Sequence, residues 1–226
     1  MEKHQTYFNF LEALKEGCPV CFVVKKTVHK AMDDYLYESV NDPILRDEIR
    51  AARGFCNRHA WQLQKFGNGS GQAIIYEDLL SHGLEQFKLV DAMASVQELA
   101  KRLNARKTAK AICLFCKQER DVEARYLSIF WESFAEPEFS MAYKSSAGLC
   151  LPHLSQVLGK CRKTGLVKEL VDFESGKLAG LIAELREFIR KHDYRFSKEG
   201  FQKEGDSWIR AIEKFVGKEG LYQKGD

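Results

Sequence analysis

The sequence predicts an all-α protein, a duplicated helical bundle in which each repeat holds a Cys3His metal site. Two observations predict the helices: apolar residues recur every three or four positions, and only four prolines interrupt the 226 residues. A third predicts the duplication, because paired cysteine and histidine motifs occur twice in nearly the same register. A content of 45% hydrophobic and 30% charged residues is typical of a soluble globular protein. The formal charge of +3 is too small to indicate nucleic-acid binding by itself.

Capping residues and apolar periodicity define the helices of the first repeat. Gly17 is a natural stop for the first helix, and Asp42 is predicted to cap a helix whose first residue is Pro43. The pair Cys56 and His59 is expected to open the next helix. The predicted helices cover residues 6–16, about 22–40, 43 to about 54, and about 72–93.

The second half repeats this plan at a shift of 94 residues. Pro137, Gly148, Gln156 and Gly165 match Pro43, Gly54, Gln62 and Gly71. An apolar stripe predicts a second long helix over residues 166–191. Beyond the repeat, residues 207–216 are predicted to form a final helix whose Trp208, Ile212 and Phe215 cover part of the core. We therefore expect a first repeat over residues 1–96, a second over 97–192 and a C-terminal extension over 193–226.

Each repeat carries one CxxC turn and one CxxH pair at a predicted helix start. Tetrahedral zinc takes four ligands, commonly supplied as two close pairs, and residues i and i+3 of a helix lie on one face. About 35 residues separate the two pairs of a repeat, which suits one helix out and a short helix back. We therefore predict two Zn²⁺ sites per chain, each within one repeat. The ligands of one site are Cys18, Cys21, Cys56 and His59, and those of the other are Cys113, Cys116, Cys150 and His153.

These motifs resemble an uncharacterised prokaryotic family, a domain of unknown function defined by paired CPxC and GFCxxH units. The resemblance is carried by residues 18–21 and 54–59 and by their second copies, and a less specific tail resemblance runs from residue 192 to 217. The second copy lacks the proline between its paired thiols and has Leu149 in place of Phe55, but neither change removes a ligand. The resemblance implies metal binding and no particular activity.

Three alternatives to a zinc-binding scaffold protein stay open. A CxxC pair can shuttle between dithiol and disulfide, although no predicted strand precedes either pair, as it does in the usual redox setting. The same ligands can hold an iron–sulfur cluster. A nucleic-acid-binding regulator is the third alternative, because residues 99–118 contain no acid and form a basic junction. The basic residues of this junction, 101–117, are Lys101, Arg102, Arg106, Lys107, Lys110 and Lys117. The odd thiol, Cys161, is interpreted as a passive helix-end residue.

We expect the metal to have a structural role, because protein ligands fill all four positions of each site. The sequence contains no phosphate-binding loop, HExxH or GxSxG motif that would indicate an enzyme. It has no apolar run long enough for a membrane span and no apolar core of signal-peptide length at the N-terminus. Together with the paired thiols, this predicts a cytoplasmic zinc-binding protein that acts as a scaffold or binds a protein partner.

Overall fold

The computed structural model describes residues 5–88, 97, 111–160, 164–196 and 198–221. Over these ranges the chain is helical and contains no β-strand, which confirms the predicted all-α class. The α-helices are α1 (Gln5–Ala13), α2 (Pro19–Asp34), α3 (Pro43–Ala51), α4 (Asn57–Gln64), α5 (Gly69–Lys88), α6 (Leu114–Ala135), α7 (Pro137–Ser145), α8 (Leu151–Gly159), α9 (Thr164–Lys191) and α10 (Ser207–Val216). Short 3-10 helices cover Leu14–Glu16, Tyr194–Phe196 and Lys203–Asp206, and a π-helical segment, Tyr35–Ser39, extends α2. None of the helices in these ranges is long and apolar enough to cross a membrane.

Side-chain caps explain where two helices of the first repeat begin. Asp42 accepts hydrogen bonds from the backbone N–H groups of Ile44 and Leu45, at 2.8 and 3.1 Å, so α3 begins at Pro43 as predicted. Asn68 accepts a bond of 2.9 Å from the N–H of Gly71 in the same way. Helix α5 therefore begins at Gly69, slightly before the predicted start at about residue 72. The predicted continuation of this helix beyond residue 88 lies outside the described residues.

By its contacts the chain forms two compact units. One unit combines Met1–Lys25 with Val122–Gly225, and the other consists of Lys26–Asp121. Helices α2 and α6 each contribute residues to both units. The units therefore do not follow the consecutive divisions 1–96, 97–192 and 193–226, because the first 25 residues fold with the second half of the chain.

Aromatic side chains fill the core of each unit. In the unit that contains the N-terminus, the ring of Phe10 lies 5.1 Å from that of Tyr126 and 5.1 Å from that of Phe139. In the other unit, Phe55 stacks on Phe115 with ring centroids 5.2 Å apart. Both of these phenylalanines are next to cysteines of the metal motifs, so the second core directly supports the chain that carries the ligands.

The C-terminal helix α10 covers the predicted residues, but it faces the opposite way from the prediction. Its polar side contacts the rest of its unit, since Lys214 pairs with Glu174 and Arg210 pairs with Glu184. The apolar side chains predicted to cover the core are exposed instead: Trp208, Ile212 and Phe215. The prediction of a core-covering face is wrong because ion pairs to α9 hold the polar side of α10 inward.

Two further sequence predictions fall wholly or partly outside the described residues. One is the odd thiol, Cys161. The other is the basic junction 101–117, of which the structure describes only residues 111–117, including Lys117.

Candidate metal centres

The eight predicted ligands come together in two groups within the described part of the chain. The four potential ligand atoms of each group all lie within 4.8 Å of one another. Each group contains one CxxC and one CxxH pair, as predicted, but the two pairs come from different repeats. The first cluster consists of Cys18, Cys21, Cys150 and His153, and the second cluster consists of Cys56, His59, Cys113 and Cys116.

The prediction that each repeat completes its own site is therefore wrong, and helix lengths give the physical reason. Helix α2 leaves the Cys18–Cys21 turn and runs for 16 residues before its π-helical extension, which corresponds to roughly 24 Å at about 1.5 Å per residue. Helix α3 has only 9 residues, or roughly 13 Å. A return this short does not carry the chain back along the full length of α2, and the first CxxC turn pairs with Cys150 and His153 instead.

The first cluster is centred on the imidazole of His153. Its Nδ1 atom lies 3.3 Å from the Sγ atom of Cys18, 3.4 Å from that of Cys21 and 3.1 Å from that of Cys150. The Sγ atoms of Cys21 and Cys150 are 3.7 Å apart. His153 is fully buried, whereas Cys18 keeps partial exposure.

The second cluster has nearly the same geometry around His59. Its Nδ1 atom lies 3.3 Å from the Sγ of Cys56, 3.5 Å from that of Cys113 and 3.3 Å from that of Cys116. The Sγ atoms of Cys116 and Cys56 are 3.6 Å apart. Here too the histidine is fully buried, and Cys116 is the partly exposed thiol.

These distances fit one tetrahedral ion in each cluster. Zn–S bonds of about 2.3 Å and Zn–N bonds of about 2.0 Å in a tetrahedron place two sulfurs about 3.8 Å apart and sulfur and nitrogen about 3.5 Å apart. The observed separations are 3.6–3.7 Å and 3.1–3.5 Å. No disulfide links the six thiols of the two clusters. The two buried Cys/His groups can therefore hold metal ions.

Local backbone structure brings each CxxH pair to a helix start. Cys56 is the N-cap of α4 and Cys150 the N-cap of α8, both with extended backbone angles. Two positions before them, Gly54 and Gly148 have φ angles of +87° and +75°, which glycine adopts without steric cost. At Gly148 a Cβ atom would also collide with the carboxylate of Glu174. Glycine at these positions lets the chain reverse directly into the ligand-bearing helix.

A carboxylate lies next to the second ring nitrogen of each cluster histidine. Glu123 Oε1 lies 3.1 Å from His153 Nε2 and also accepts a 2.8 Å hydrogen bond from Gln156. Glu119 Oε1 lies 3.2 Å from His59 Nε2, although at an angle that departs from hydrogen-bond geometry, and both oxygens of Glu119 accept bonds of 2.5 Å from Arg58. Carboxylates in this position orient a metal-binding histidine and increase its basicity.

The sequence analysis does not single out these carboxylates. A signal exists for Glu119, because it follows Cys116 by three residues and so lies on the same face of α6. No comparable signal exists for Glu123, since it acts on a histidine 30 residues later in the chain.

Both clusters have the electrostatics of a cation site. Burial works against a charged His59, but its contacts with the Cys113 and Cys56 thiols and the adjacent Glu119 carboxylate outweigh it and raise the pKa of His59 to about 10. The pKa of His153 is raised to about 11 by the corresponding groups, against the effect of burial. The pKa of the Cys21 thiol is raised because Cys150 and Cys18 lie beside it. Three adjacent thiols therefore resist losing all their protons unless a cation is present, and a metal ion supplies that charge.

Buried polar groups from α9 and α10 hold the loop that carries Cys150. The carboxylate of Glu174 is 2% exposed and accepts hydrogen bonds from Tyr143 Oη and from the backbone N–H of Leu149, the latter at 3.0 Å. Lys214 Nζ lies 2.5 Å from Glu174 and also donates to the carbonyl oxygen of Leu149 at 2.6 Å. Lys177 donates to three carbonyl oxygens between residues 143 and 146. The loop is thereby fixed directly before the Cys150 ligand.

A cleft of about 570 Å³ opens beside the first cluster. Cys18 and Cys150 contribute to its wall. Most of its basic side chains already have partners: Lys177 and Lys214 bind the loop described above, and Lys203 and Arg210 pair with Glu184. The cleft therefore lies against the first cluster, and its charges mainly serve the fold.

Two comparisons with known proteins give matches over most of the chain. Residues 8–221 match the sequence model described as "Family of unknown function (DUF6062)". The chain is 35% identical over 189 residues to an uncharacterized 23.9 kDa protein in the xynA 3' region of Caldicellulosiruptor sp. (strain Rt8B.4), and the alignment covers 82% of this chain and 87% of that protein. No solved structure matches the chain.

Proposed function

Because the chain belongs to DUF6062, a family whose description assigns no function, we propose from the two clusters that this protein binds two structural Zn²⁺ ions and serves as a scaffold or interaction protein. The observation that carries the proposal is the enclosure of each cluster by four protein ligands, with all four ligand atoms within 4.8 Å. Such a set fills the tetrahedron of zinc and leaves no position for a substrate, which favours a structural ion over a catalytic one.

The chemistry of the ligands supports zinc among the metals that thiolates bind. Three sulfurs and one imidazole form a donor set typical of structural zinc sites. An iron–sulfur cluster places several irons between its ligands, whereas the spacing here suits a single ion. Reduced thiols are needed in either case, so we propose the cytoplasm as the compartment.

The structural role is supported by the separation in sequence of the ligands that each ion joins. In the first cluster the CxxC pair lies at least 129 positions from the CxxH pair in the sequence, and in the second cluster the two pairs lie at least 54 positions apart. Binding free energy at such a site becomes folding free energy, because the unfolded chain does not hold its ligands together. We therefore expect metal removal to unfold the chain rather than merely to inactivate a site.

Elemental analysis of the purified chain, combined with its visible absorption spectrum, tests this proposal. We expect two zinc ions per chain and no visible absorption, and a strong chelator should lower the helical circular dichroism signal. Cys161→Ser is the matched control, because each cluster already has four ligands without this residue. Iron with a visible sulfide chromophore would contradict zinc, and metal-free protein with unchanged helix content would contradict the structural role.

A further inference from the structure

The exposed side of α10 is an uncharged apolar stripe. Five residues of this ten-residue helix form it: Trp208, Ile209, Ile212, Phe215 and Val216. Their spacings of three, four and seven place them on one face of the helix. They are 48%, 44%, 54%, 70% and 53% exposed, so about half of each side chain meets solvent.

The charged residues of α10 all lie outside this stripe. Arg210 pairs with Glu184 and Asp206, and Lys214 pairs with Glu174 and two loop carbonyls. Glu213 lies beside the cleft near Gly17. The inward side of α10 is therefore satisfied by its own unit, and turning the helix over to bury the stripe would break these ion pairs. The part of the chain that the structure describes leaves about half of the stripe uncovered, so the stripe is available to another surface.

The size of the stripe indicates what kind of surface covers it. If a large side chain contributes roughly 150–250 Å² when fully exposed, five side chains at about half exposure present on the order of 500 Å². This is as large as the largest apolar patch on a typical monomeric protein, about 300–600 Å². Two such stripes in contact would bury on the order of 1,000 Å², which reaches the lower limit for a specific interface.

We propose that a second copy of this chain covers the stripe, with α10 packed antiparallel to α10 of the other copy. A twofold contact brings identical surfaces together, so any charge near its centre would meet a like charge. The stripe contains no charged residue and is therefore complementary to itself. The centre of the stripe has the spacing of a helix-pairing seam, in which apolar residues occupy heptad positions a, d and a. These residues are Ile209, Ile212 and Val216, flanked by Trp208 and Phe215. This proposal does not depend on the identity of the metal.

The inward side of α10 gives this contact a structural consequence. Lys214 holds both Glu174 and the loop before Cys150, so α10 joins the proposed interface to the first cluster. A second copy that fixes α10 also fixes this support. All four ligands of the second cluster belong to the other unit.

Sedimentation of the metal-loaded full chain over a range of concentrations tests the proposal. We expect the wild type to change from monomer to dimer as concentration rises, with dissociation on the order of micromolar for an interface of this size. Ile212→Asp places two carboxylates opposite each other and should weaken the dimer by about 100-fold or more. Ile44→Asp is the matched control, because Ile44 is 71% exposed on α3 and should leave the dimer unchanged.

Two further results make the outcome decisive. The Ile212→Asp chain must retain two metal ions and the helix content of the wild type, and a Phe215→Ser chain should be monomeric as well. A wild type that remains monomeric at the highest concentration would overturn the proposal, as expected if a different protein covers the stripe. A dimer that survives both substitutions would overturn it too. Either result leaves the metal content, and hence the proposed function, unaffected.

Discussion

Single cysteine replacements can establish which ligands share an ion. The structure places Cys18 with Cys150, so Cys18→Ala and Cys150→Ala should affect the same metal site. Cys56→Ala should affect the other site, together with Cys116→Ala. Pairing within repeats would instead put Cys18 and Cys56 in one site. The two arrangements therefore predict different partners for the same variant.

The structure also sets the expected loss of stability. The first cluster joins Cys21 to Cys150 across 129 residues, and the second joins His59 to Cys113 across 54 residues. In the chain-entropy model a cross-link over these lengths stabilises the fold by about 5 and about 4 kcal/mol, respectively. The logarithmic dependence on length gives a difference of about 0.8 kcal/mol. Cys18→Ala should therefore lower the free energy of unfolding slightly more than Cys56→Ala.

Cadmium NMR of the cadmium-substituted protein is a suitable assay, because each site gives its own signal. Cys18→Ala and Cys150→Ala should shift or abolish one signal, and Cys56→Ala should change only the other. Cys161→Ser should change neither. If Cys18→Ala and Cys56→Ala alter the same signal, the crossed pairing is wrong.

Three further predictions concern the groups around the clusters. Lys214→Met leaves the buried Glu174 carboxylate without its cationic partner, so it should lower the free energy of unfolding by about 3 kcal/mol and perturb only the first cluster. Denaturant titration measures the loss of stability, and cadmium NMR measures the effect on the cluster. A change confined to the second cluster would refute the role of α10. Glu119→Gln should weaken metal binding at the second cluster by about 10- to 100-fold in a chelator competition, and Glu123→Gln should weaken metal binding at the first cluster by a similar factor. Equal metal affinities in the wild type and the variants would show that these carboxylates do not act on the histidines. Lys191 lowers the pKa of Glu204 to about 2 from an ordinary value of 4.5, so this ion pair stabilises the C-terminal segment above pH 4.5 and is lost as the pH falls towards 2. The protection of α10 amides against hydrogen exchange, relative to the intrinsic rate at each pH, should therefore fall over that range in the wild type, and Glu204→Gln should remove that part of the pH dependence.

The sequence by itself determined the features that depend on neighbouring residues. Helix starts follow from caps such as Asp42, which accepts hydrogen bonds from residues two and three positions later. The ligands were identifiable for the same reason, since CxxC and CxxH bring two ligands together within one helical turn. The all-α class followed from the periodicity of apolar residues.

Only the tertiary structure decided which pairs meet and which way α10 faces. The two CxxC turns and the two CxxH pairs are chemically equivalent, so local spacing cannot distinguish crossed from uncrossed pairing; the length of α2 relative to α3 decides it. The apolar stripe of α10 predicts an amphipathic helix, but the hydrophobic effect has no direction of its own. The ion pairs of Arg210 and Lys214 with α9, which no local pattern predicts, turn that stripe outward.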